Sequence, residues 1–204
     1  MISAVLLAAG ESKRMGKPKM TLKWGETTVL EHVISIFAKA GLEDILVVTG
    51  SHKDEVEAIV SCAKKVYPVR SVFNENYATG EMLSSIQCGL RALAPPPLSL
   101  RERGGGALIG LGDQPQVQER SVRMVCEAFA KTARPLVVPS YQMHRGHPWL
   151  IASELWQEFL RLSPTQTPRD FLNTNSTKIS YVGVDSDSVL LDLDTPKDYQ
   201  TSHP

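Results

Sequence analysis

Short apolar runs alternate with amphipathic segments along the chain, and this alternation constrains the fold more than any other feature. The first run, Ile2 to Ala8, is apolar at all but one position, as expected of a central strand that is covered on both faces. The other runs predicted as strands are residues 45–48, 69–73, 107–111, 136–139 and 179–184. Because helical segments separate them, the pattern indicates βαβ units around a mostly parallel sheet.

Apolar residues at helical spacing mark the helices between these strands. Thr28 and Glu31 form the pattern of a capping box at the start of the first helix, and Gly41 ends it. Further helices are predicted around residues 56–60, 83–93, 122–129 and 155–162, and Thr195 with Pro196 begins a terminal one. We therefore expect an α/β fold, with one Rossmann-like domain over residues 1–204 built as a three-layer sandwich.

A proline- and glycine-rich segment interrupts this pattern. Residues 94–106 contain three prolines, three glycines and no apolar period, which predicts an exposed, mobile connection without a functional site. The strands on either side are too few to close separate sheets, so this connection does not divide two domains.

Composition excludes several classes of function. Lys plus Arg and Asp plus Glu both number 22 among 204 residues, and this balance argues against a general nucleic-acid-binding surface. No apolar run approaches the ~20 residues that cross a bilayer, so we expect no membrane association. The first residues lack the basic region of a signal peptide, and three widely spaced cysteines suggest neither disulfides nor a zinc site. We expect a protein of the reducing cytoplasm.

The loop that leaves the first strand has the composition of a phosphate-binding loop. Between Ala8 and Lys19 it reads AAGESKRMGKPK, with two glycines and four cations. Ligands of open parallel sheets bind outside the carboxyl ends of the strands, where glycines expose backbone N–H groups and cations neutralise an anion. The loop therefore predicts a polyphosphate ligand; the alternative is a solvated basic turn.

Two common phosphate loops do not match this segment. A Walker A loop has four residues between its glycines and a hydroxyl residue after the lysine, whereas five residues separate Gly10 from Gly16 and Pro18 follows Lys17. The dinucleotide pattern G-x-G-x-x-G is absent, because Glu11 and Ser12 follow Gly10.

The loop instead resembles the signature of the MobA-like NTP transferases, the nucleotidyltransferases related to molybdenum cofactor synthesis. The pattern is Leu7-Ala8-Ala9-Gly10-x-Ser12-x-Arg14-Met15-Gly16-x-x-Lys19. The resemblance implies a fold like that of the nucleotide-diphospho-sugar transferases, with this loop wrapped around the triphosphate of an incoming nucleotide. It implies that Arg14 and Lys19 are catalytic phosphate-binding residues, with Lys19 at the attacked α-phosphate. Lys13 and Lys17 occupy variable positions and are expected to face solvent.

Acidic residues follow the fourth predicted strand and precede the terminal helix. Gly112-Asp113 stands where Mg²⁺ is expected beside a phosphate loop, although Gly-Asp-x-Pro is also good turn chemistry. Asp192 and Asp194 alternate on an extended stretch and can point to the same side, although Asp194 or Thr195 can also serve as a helix N-cap. The resemblance implies that Asp113 is catalytic and binds Mg²⁺ with Asp192 and Asp194, and that Gly112 lies against the nucleotide.

Two further segments match the same family. Asn74, Gly80, Ser84 and Ser85 lie in a stretch that the resemblance places at the base and ribose of the nucleotide. Gly146-His147-Pro148 matches a motif that it places at the second substrate, although a lone histidine is more often structural.

These implications together describe transfer of a nucleoside monophosphate. An acceptor phosphate attacks the α-phosphorus of an NTP and pyrophosphate leaves; the attacking oxygen is already anionic, so the protein supplies positioning and charge neutralisation. In the resemblance, alanine at position 9 goes with cytidylyl transfer, which favours CTP and a molybdopterin-type acceptor and makes a molybdenum hydroxylase a candidate partner. The alternatives are a sugar or polyol phosphate acceptor, or a non-catalytic carrier of molybdenum cofactor.

Overall fold

A computed structural model describes residues 1–93, 105–132 and 134–204 of the protein. Its strands are β1 (Ile2–Ala8), β2 (Lys23–Trp24), β3 (Thr27–Thr28), β4 (Ile45–Thr49), β5 (Val69–Phe73), β6 (Gly106–Leu111), β7 (Leu136–Tyr141), β8 (His144–Arg145), β9 (Trp149–Ala152) and β10 (Ile179–Gly183). Its α-helices are α1 (Val29–Lys39), α2 (Lys53–Ala63), α3 (Glu81–Ala92), α4 (Glu119–Thr132), α5 (Trp156–Leu160), α6 (Pro168–Thr174) and α7 (Pro196–Ser202).

Eight of these strands form one mostly parallel sheet. Its order is β10-β7-β9-β6-β1-β4-β5, with β8 paired to β7. The strand β1 pairs in parallel with β6 and β4, so the first strand of the chain lies at the centre of the sheet. Among the described strands of this sheet, antiparallel pairing occurs at β9, which separates β6 from β7, and in the β7–β8 hairpin. The short strands β2 and β3 form a separate antiparallel pair.

The two faces of β1 pack against two different sets of helices. Ala4 and Leu6 are fully buried in the layer that contains α1, α2 and α4. Val5 and Leu7 point the other way, into the layer that contains α3, α5 and α6. Burying one such aliphatic side chain is worth ~1.5–3 kcal/mol, so a strand that is apolar on both faces is stable only between two layers. The predicted three-layer α/β fold is confirmed.

Several elements differ from the sequence prediction. The predicted helix over residues 155–162 is a 3₁₀ turn over Ser153–Leu155 followed by the short α5, which ends at Leu160. It could not extend past Leu162, because Ser163 precedes a proline and avoids the helical region. The helix α6 and the strands β8 and β9 were not predicted, since each is too short to show a clear period. Thr28 caps α1 by accepting a hydrogen bond from Glu31 N at 3.2 Å.

The predicted connection between α3 and β6 mostly lies outside the described residues. Its last residue, Gly106, is buried and begins β6 and is therefore not part of an exposed connection. It lies so close to the neighbouring strand that a Cβ there would be 3.0 Å from Leu150 Cδ2 and 3.2 Å from Ile151 O. Within the described ranges, every helix is too short or too polar to cross a membrane.

The unpredicted strand β9 determines where its preceding loop lies. It runs antiparallel to β6, with Trp149 opposite Ile109. Its amino end therefore lies at the same edge of the sheet as the carboxyl ends of β1 and β6. This arrangement brings Gly146-His147-Pro148 to the edge that carries the predicted phosphate loop, residues 8–19.

Candidate active site

The loop after β1 folds back on itself. Ser12 has a positive φ of 52°, and its carbonyl accepts hydrogen bonds from Met15 N at 3.0 Å and Gly16 N at 3.2 Å. Gly16 has a φ of 67°, a conformation that costs glycine little. The Ser12 hydroxyl accepts a hydrogen bond from Lys19 N at 3.1 Å, which closes the loop and directs Lys19 inward.

The Lys19 ammonium lies between two carboxylates that are far away in sequence. Its Nζ is 2.8 Å from Asp113 Oδ2 and 2.9 Å from Asp194 Oδ1, and its side chain is only 13% exposed. Burial opposes the charge on Lys19, but the two carboxylates outweigh it and hold the pKa of Lys19 above its usual value. Arg14 donates to the other oxygen of Asp194 at 2.6 Å. The structure thus brings the predicted Arg14, Lys19, Asp113 and Asp194 into one cluster.

A small apolar cluster holds the acidic segment against the phosphate loop. Leu193 is fully buried and packs with Met15 and Trp24, and its backbone N–H donates to Asp113 O at 3.0 Å. With Leu193 anchored, Asp192 and Asp194 both line the cleft beside the loop, as their alternation predicts. Thr195 then begins α7 with a complete capping box.

The donor chemistry of this cleft suits a hard divalent cation. Burial, and then the negative charges of Asp194 and Asp113, raise the pKa of Asp192, which means that the three acids repel one another. Within the described ranges, no three His, Cys, Asp or Glu side chains converge closely enough to form a metal cage. Mg²⁺ needs no such cage, because it is usually held by one or two carboxylates together with substrate phosphates. Asp113 and Asp194, which already share one cation at Lys19, fit that requirement.

Small residues at the carboxyl ends of β1 and β6 allow neighbouring backbone segments to lie close to one another. A side chain at Gly112 would meet Leu7 O at 3.0 Å and Met20 Sδ at 3.1 Å. Ala9 lines the cleft with Leu7 and Gly10, while its backbone packs against Gly50. Ala8 points into the core instead. The resulting cleft has a volume of about 470 Å³.

The residues predicted at the base and ribose do not all reach this cleft. Ser85 lines it, whereas Asn74 and Ser84 line a separate cleft of their own, and Gly80 lines the larger neighbouring cleft described below. Asn74 is buried and its amide donates to both Ser84 Oγ at 2.9 Å and Ser85 Oγ at 3.1 Å. This bonding connects the end of β5 to the start of α3 and fixes the position of Ser85.

A larger second cleft adjoins the first and contains the Gly-His-Pro segment. It has a volume of about 1170 Å³, and Glu81 and Met82 line both clefts. Gly146 has no room for a side chain, because a Cβ would lie 2.5 Å from Val189 O. His147 lies on the wall of the cleft, with its Nδ1 3.4 Å from Ile109 O, and Pro148 is buried behind it.

His147 makes stability depend on pH. Burial lowers the pKa of its imidazole, although Ile109 O and the charge of Asp113 oppose this. The unfolded chain therefore takes up a proton below pH ~6.5 while the folded protein resists it, so stability falls as the pH drops through that value. We expect His147→Gln to reduce this loss. Urea unfolding of both proteins between pH 5 and 8 measures it, and identical pH slopes would contradict the assignment.

Glu81 and Met82, which line both clefts, are site residues that the sequence does not indicate, whereas Tyr77 belongs to the stretch that the resemblance places at the base and ribose. Tyr77, Glu81 and Met82 line the nucleotide-sized cleft, and Glu81 begins α3 with a positive φ of 46°. A non-glycine residue with positive φ is uncommon and is often functional, but it leaves no mark in the sequence.

Comparison with known proteins identifies the family. Residues 4–179 match the MobA-like NTP transferase domain. The chain belongs to this family. Members of this nucleotidyltransferase family transfer nucleotides from NTPs, and a phosphate loop facing acidic residues is consistent with that chemistry.

Relatives in the family carry different activities in their names. The chain is 25% identical over 202 residues to the molybdenum cofactor cytidylyltransferase of Escherichia coli K12, covering 98% of this chain and 95% of that protein. It is 27% identical to the nicotine blue oxidoreductase of Paenarthrobacter nicotinovorans, covering 95% and 92%. It is also 30% identical over 145 residues to the bifunctional protein GlmU of Syntrophomonas wolfei, of which the match spans only 29%.

A solved structure extends the similarity to the whole fold. Rv0371c of Mycobacterium tuberculosis H37Rv superposes with a TM-score of 0.79 at 26% identity, covering 98% of this chain and 96% of that one. The same protein has been solved in complex with manganese, with a TM-score of 0.76. A divalent metal in a relative of this fold is consistent with the donor chemistry of the acidic cluster.

Proposed function

We propose that this protein is a Mg²⁺-dependent cytidylyltransferase that moves CMP from CTP onto the phosphate of molybdopterin-bound molybdenum and releases pyrophosphate. The observation that carries the proposal is the Lys19 ammonium, which contacts Asp113 and Asp194 at the mouth of the phosphate loop. A lysine beside two carboxylates suits a reaction in which a bound metal ion and the lysine together neutralise the negative charge of a triphosphate.

Each group of residues in the nucleotide cleft would have a distinct role in the reaction. Asp113 and Asp194, with Asp192 beside them, would hold Mg²⁺, which when bound neutralises charge on the phosphates. Lys19 would then turn from the carboxylates to the α-phosphate, and Arg14 would balance charge on the departing pyrophosphate. Of the predicted nucleotide-binding residues, those that line this cleft are Leu7, Ala9, Gly10, Ser12 and Ser85. Ala8, Gly16, Gly80 and Gly112 lie outside this lining and would act only by shaping the backbone around it. Asn74 would hold Ser84 and Ser85 in place through its side-chain amide.

The acceptor would occupy the second cleft. Gly146 and His147 lie on its wall, while the predicted Pro148 is buried behind them and would contact no acceptor. Glu81 and Met82 join this cleft to the nucleotide cleft, so two substrates could meet at one boundary. A phosphate nucleophile needs no strong base, which agrees with a histidine whose pKa burial lowers. The name of the Escherichia coli relative supports molybdopterin-bound molybdenum as the acceptor.

The methyl group of Ala9 is proposed to favour cytosine over guanine. Ala9 is 6% exposed and lines the nucleotide cleft. We expect Ala9→Gly to admit GTP, lowering the CTP to GTP ratio of kcat/KM by ~10–200-fold, the usual worth of one methyl in a packed pocket. Steady-state kinetics of both proteins with each nucleotide measure this ratio.

Ala9 also packs against Gly50, so the competing explanation is that Ala9 serves stability and not nucleotide selectivity. If Ala9 only supports the end of β1, Ala9→Gly loses ~0.5–1 kcal/mol of stability through backbone entropy. The ratio of kcat/KM would then stay unchanged, and the cytosine assignment would be wrong.

Nucleotide binding tests the proposal before any acceptor is chosen. Melting temperatures are measured with ATP, GTP, CTP and UTP, each with Mg²⁺. CTP should stabilise the protein most, because a ligand that binds only the folded state raises stability with its affinity. Equal shifts for all four nucleotides would overturn the choice of CTP, and no shift with any of them would overturn the nucleotide site.

A further inference from the structure

The wall of the second cleft contains an arginine whose guanidinium is held in place by neutral oxygens and not by a carboxylate. Arg145 lies on β8, and its Nε and Nη2 donate to Tyr181 Oη at 3.0 and 2.7 Å. Its Nη1 donates to Asn173 Oδ1 at 2.7 Å, and the guanidinium lies 5.6 Å from the centre of the Tyr181 ring. Two neutral oxygens from β10 and α6 therefore fix this cation on the wall of the cleft.

Four other arginines of the protein are paired with acids, namely Arg14, Arg70, Arg120 and Arg123. Arg70 contacts Asp44 and Arg120 contacts Asp185, each at a carboxylate oxygen. Among the described residues, no carboxylate lies within ion-pair distance of Arg145, and its three hydrogen bonds use three of the five N–H groups of a guanidinium. It retains its full positive charge and two donors.

The surroundings of Arg145 attract an anion. The described lining of the second cleft also contains Arg169, and its only carboxylate is Glu81, which lies at the boundary with the nucleotide cleft. A positive wall with fixed, planar donors suits bidentate recognition of an oxyanion.

We propose that Arg145 is a specificity-determining residue that binds a second anionic group of the acceptor. Arg145 lines the acceptor cleft and not the nucleotide cleft, so it cannot serve the phosphate that attacks beside Lys19. The group it binds lies at the opposite end of the acceptor. Tyr181 and Asn173 are its positioning residues. The inference rests on the proposed function, because that function assigns this cleft to the acceptor.

Binding of the acceptor without CTP tests the inference separately from catalysis. Molybdopterin-bound molybdenum is titrated anaerobically onto the wild type, Arg145→Gln, Tyr181→Phe and Arg134→Gln. Arg134 is the matched control, because its guanidinium also donates to a neutral oxygen, Thr177 O, but lies outside the described linings of all three clefts. We expect binding to weaken ~10–100-fold in Arg145→Gln, the worth of a charged hydrogen bond, and less in Tyr181→Phe. Arg134→Gln should bind like the wild type.

The possible results lead to different conclusions. If Arg145→Gln binds as tightly as the wild type, or if Arg134→Gln weakens binding equally, Arg145 is structural and the inference is wrong. If the wild type does not bind the cofactor at all, the proposed acceptor is wrong. The anion site is then tested by titrating inorganic sulfate at constant ionic strength while following the ¹⁵N signal of Arg145 Nε–H, identified by its loss in Arg145→Gln. A saturable shift supports the site, and a signal that does not move overturns it.

Discussion

Lys19→Ala is expected to lower turnover by ~10²–10³-fold, the usual cost of removing one preorganised charge donor from a transition state. The structure explains why no neighbour could replace it. Among the described residues, Arg14 forms an ion pair with Asp194 alone, whereas Lys19 contacts both Asp194 and Asp113 from a position that is almost enclosed. Turnover is measured at saturating CTP, with melting temperatures in parallel to show that the protein remains folded.

Lys17→Ala is the matched control for this substitution. Lys17 lies on the same loop and carries the same charge, but it is exposed and does not line the nucleotide cleft. We expect wild-type turnover from it. Equal turnover in Lys19→Ala and Lys17→Ala would remove Lys19 from the mechanism and leave the loop as a solvated basic turn.

Asp113→Asn is expected to raise the Mg²⁺ concentration for half-maximal activity by at least ~10–100-fold. That range is the usual cost of altering a residue that only orients a metal ligand, and a direct ligand should cost no less. A neutral amide is a poor ligand for a hard cation, yet it has the shape of the carboxylate. The backbone bond from Leu193 N to Asp113 O does not involve the side chain and should survive.

An exposed aspartate provides the comparison for Asp113. Asp185 pairs with Arg120 on the surface, and its side chain is 61% exposed. Asp185→Asn should leave the Mg²⁺ titration unchanged. A wild-type titration in Asp113→Asn as well would mean that the metal binds elsewhere in the protein.

The fold could be predicted largely from periodicity, because the central strands are apolar on both faces. The strand β9 could not, since Trp149–Ala152 is short and follows a glycine and a proline that indicate a loop. Its antiparallel course is nevertheless what brings His147 to the edge of the active site. That relation depends on pairing between distant strands, which a local pattern does not contain.

The sequence indicates which residues form the candidate site but not how these residues contact one another. The resemblance to the MobA-like family points to Lys19, Asp113 and Asp194 as site residues, and the structure brings these three side chains together. That Lys19 would lie between the two acids depends on the buried Leu193, which packs the end of the chain against the loop. The neutral anchoring of Arg145 by Tyr181 and Asn173 likewise joins three separate elements, and no sequence motif records it.

The central claim is that this cleft transfers a cytidylyl group, and one measurement tests it most directly. The protein is incubated anaerobically with Mg²⁺, CTP labelled at the α-phosphate and molybdopterin-bound molybdenum, and pyrophosphate and labelled product are followed together. The account predicts that both appear in equal amounts, that Mg²⁺ is required, and that Lys19→Ala nearly abolishes them. Binding of the cofactor with no pyrophosphate released would contradict the account and indicate a carrier; labelled product formed only with a sugar or polyol phosphate would contradict the proposed acceptor.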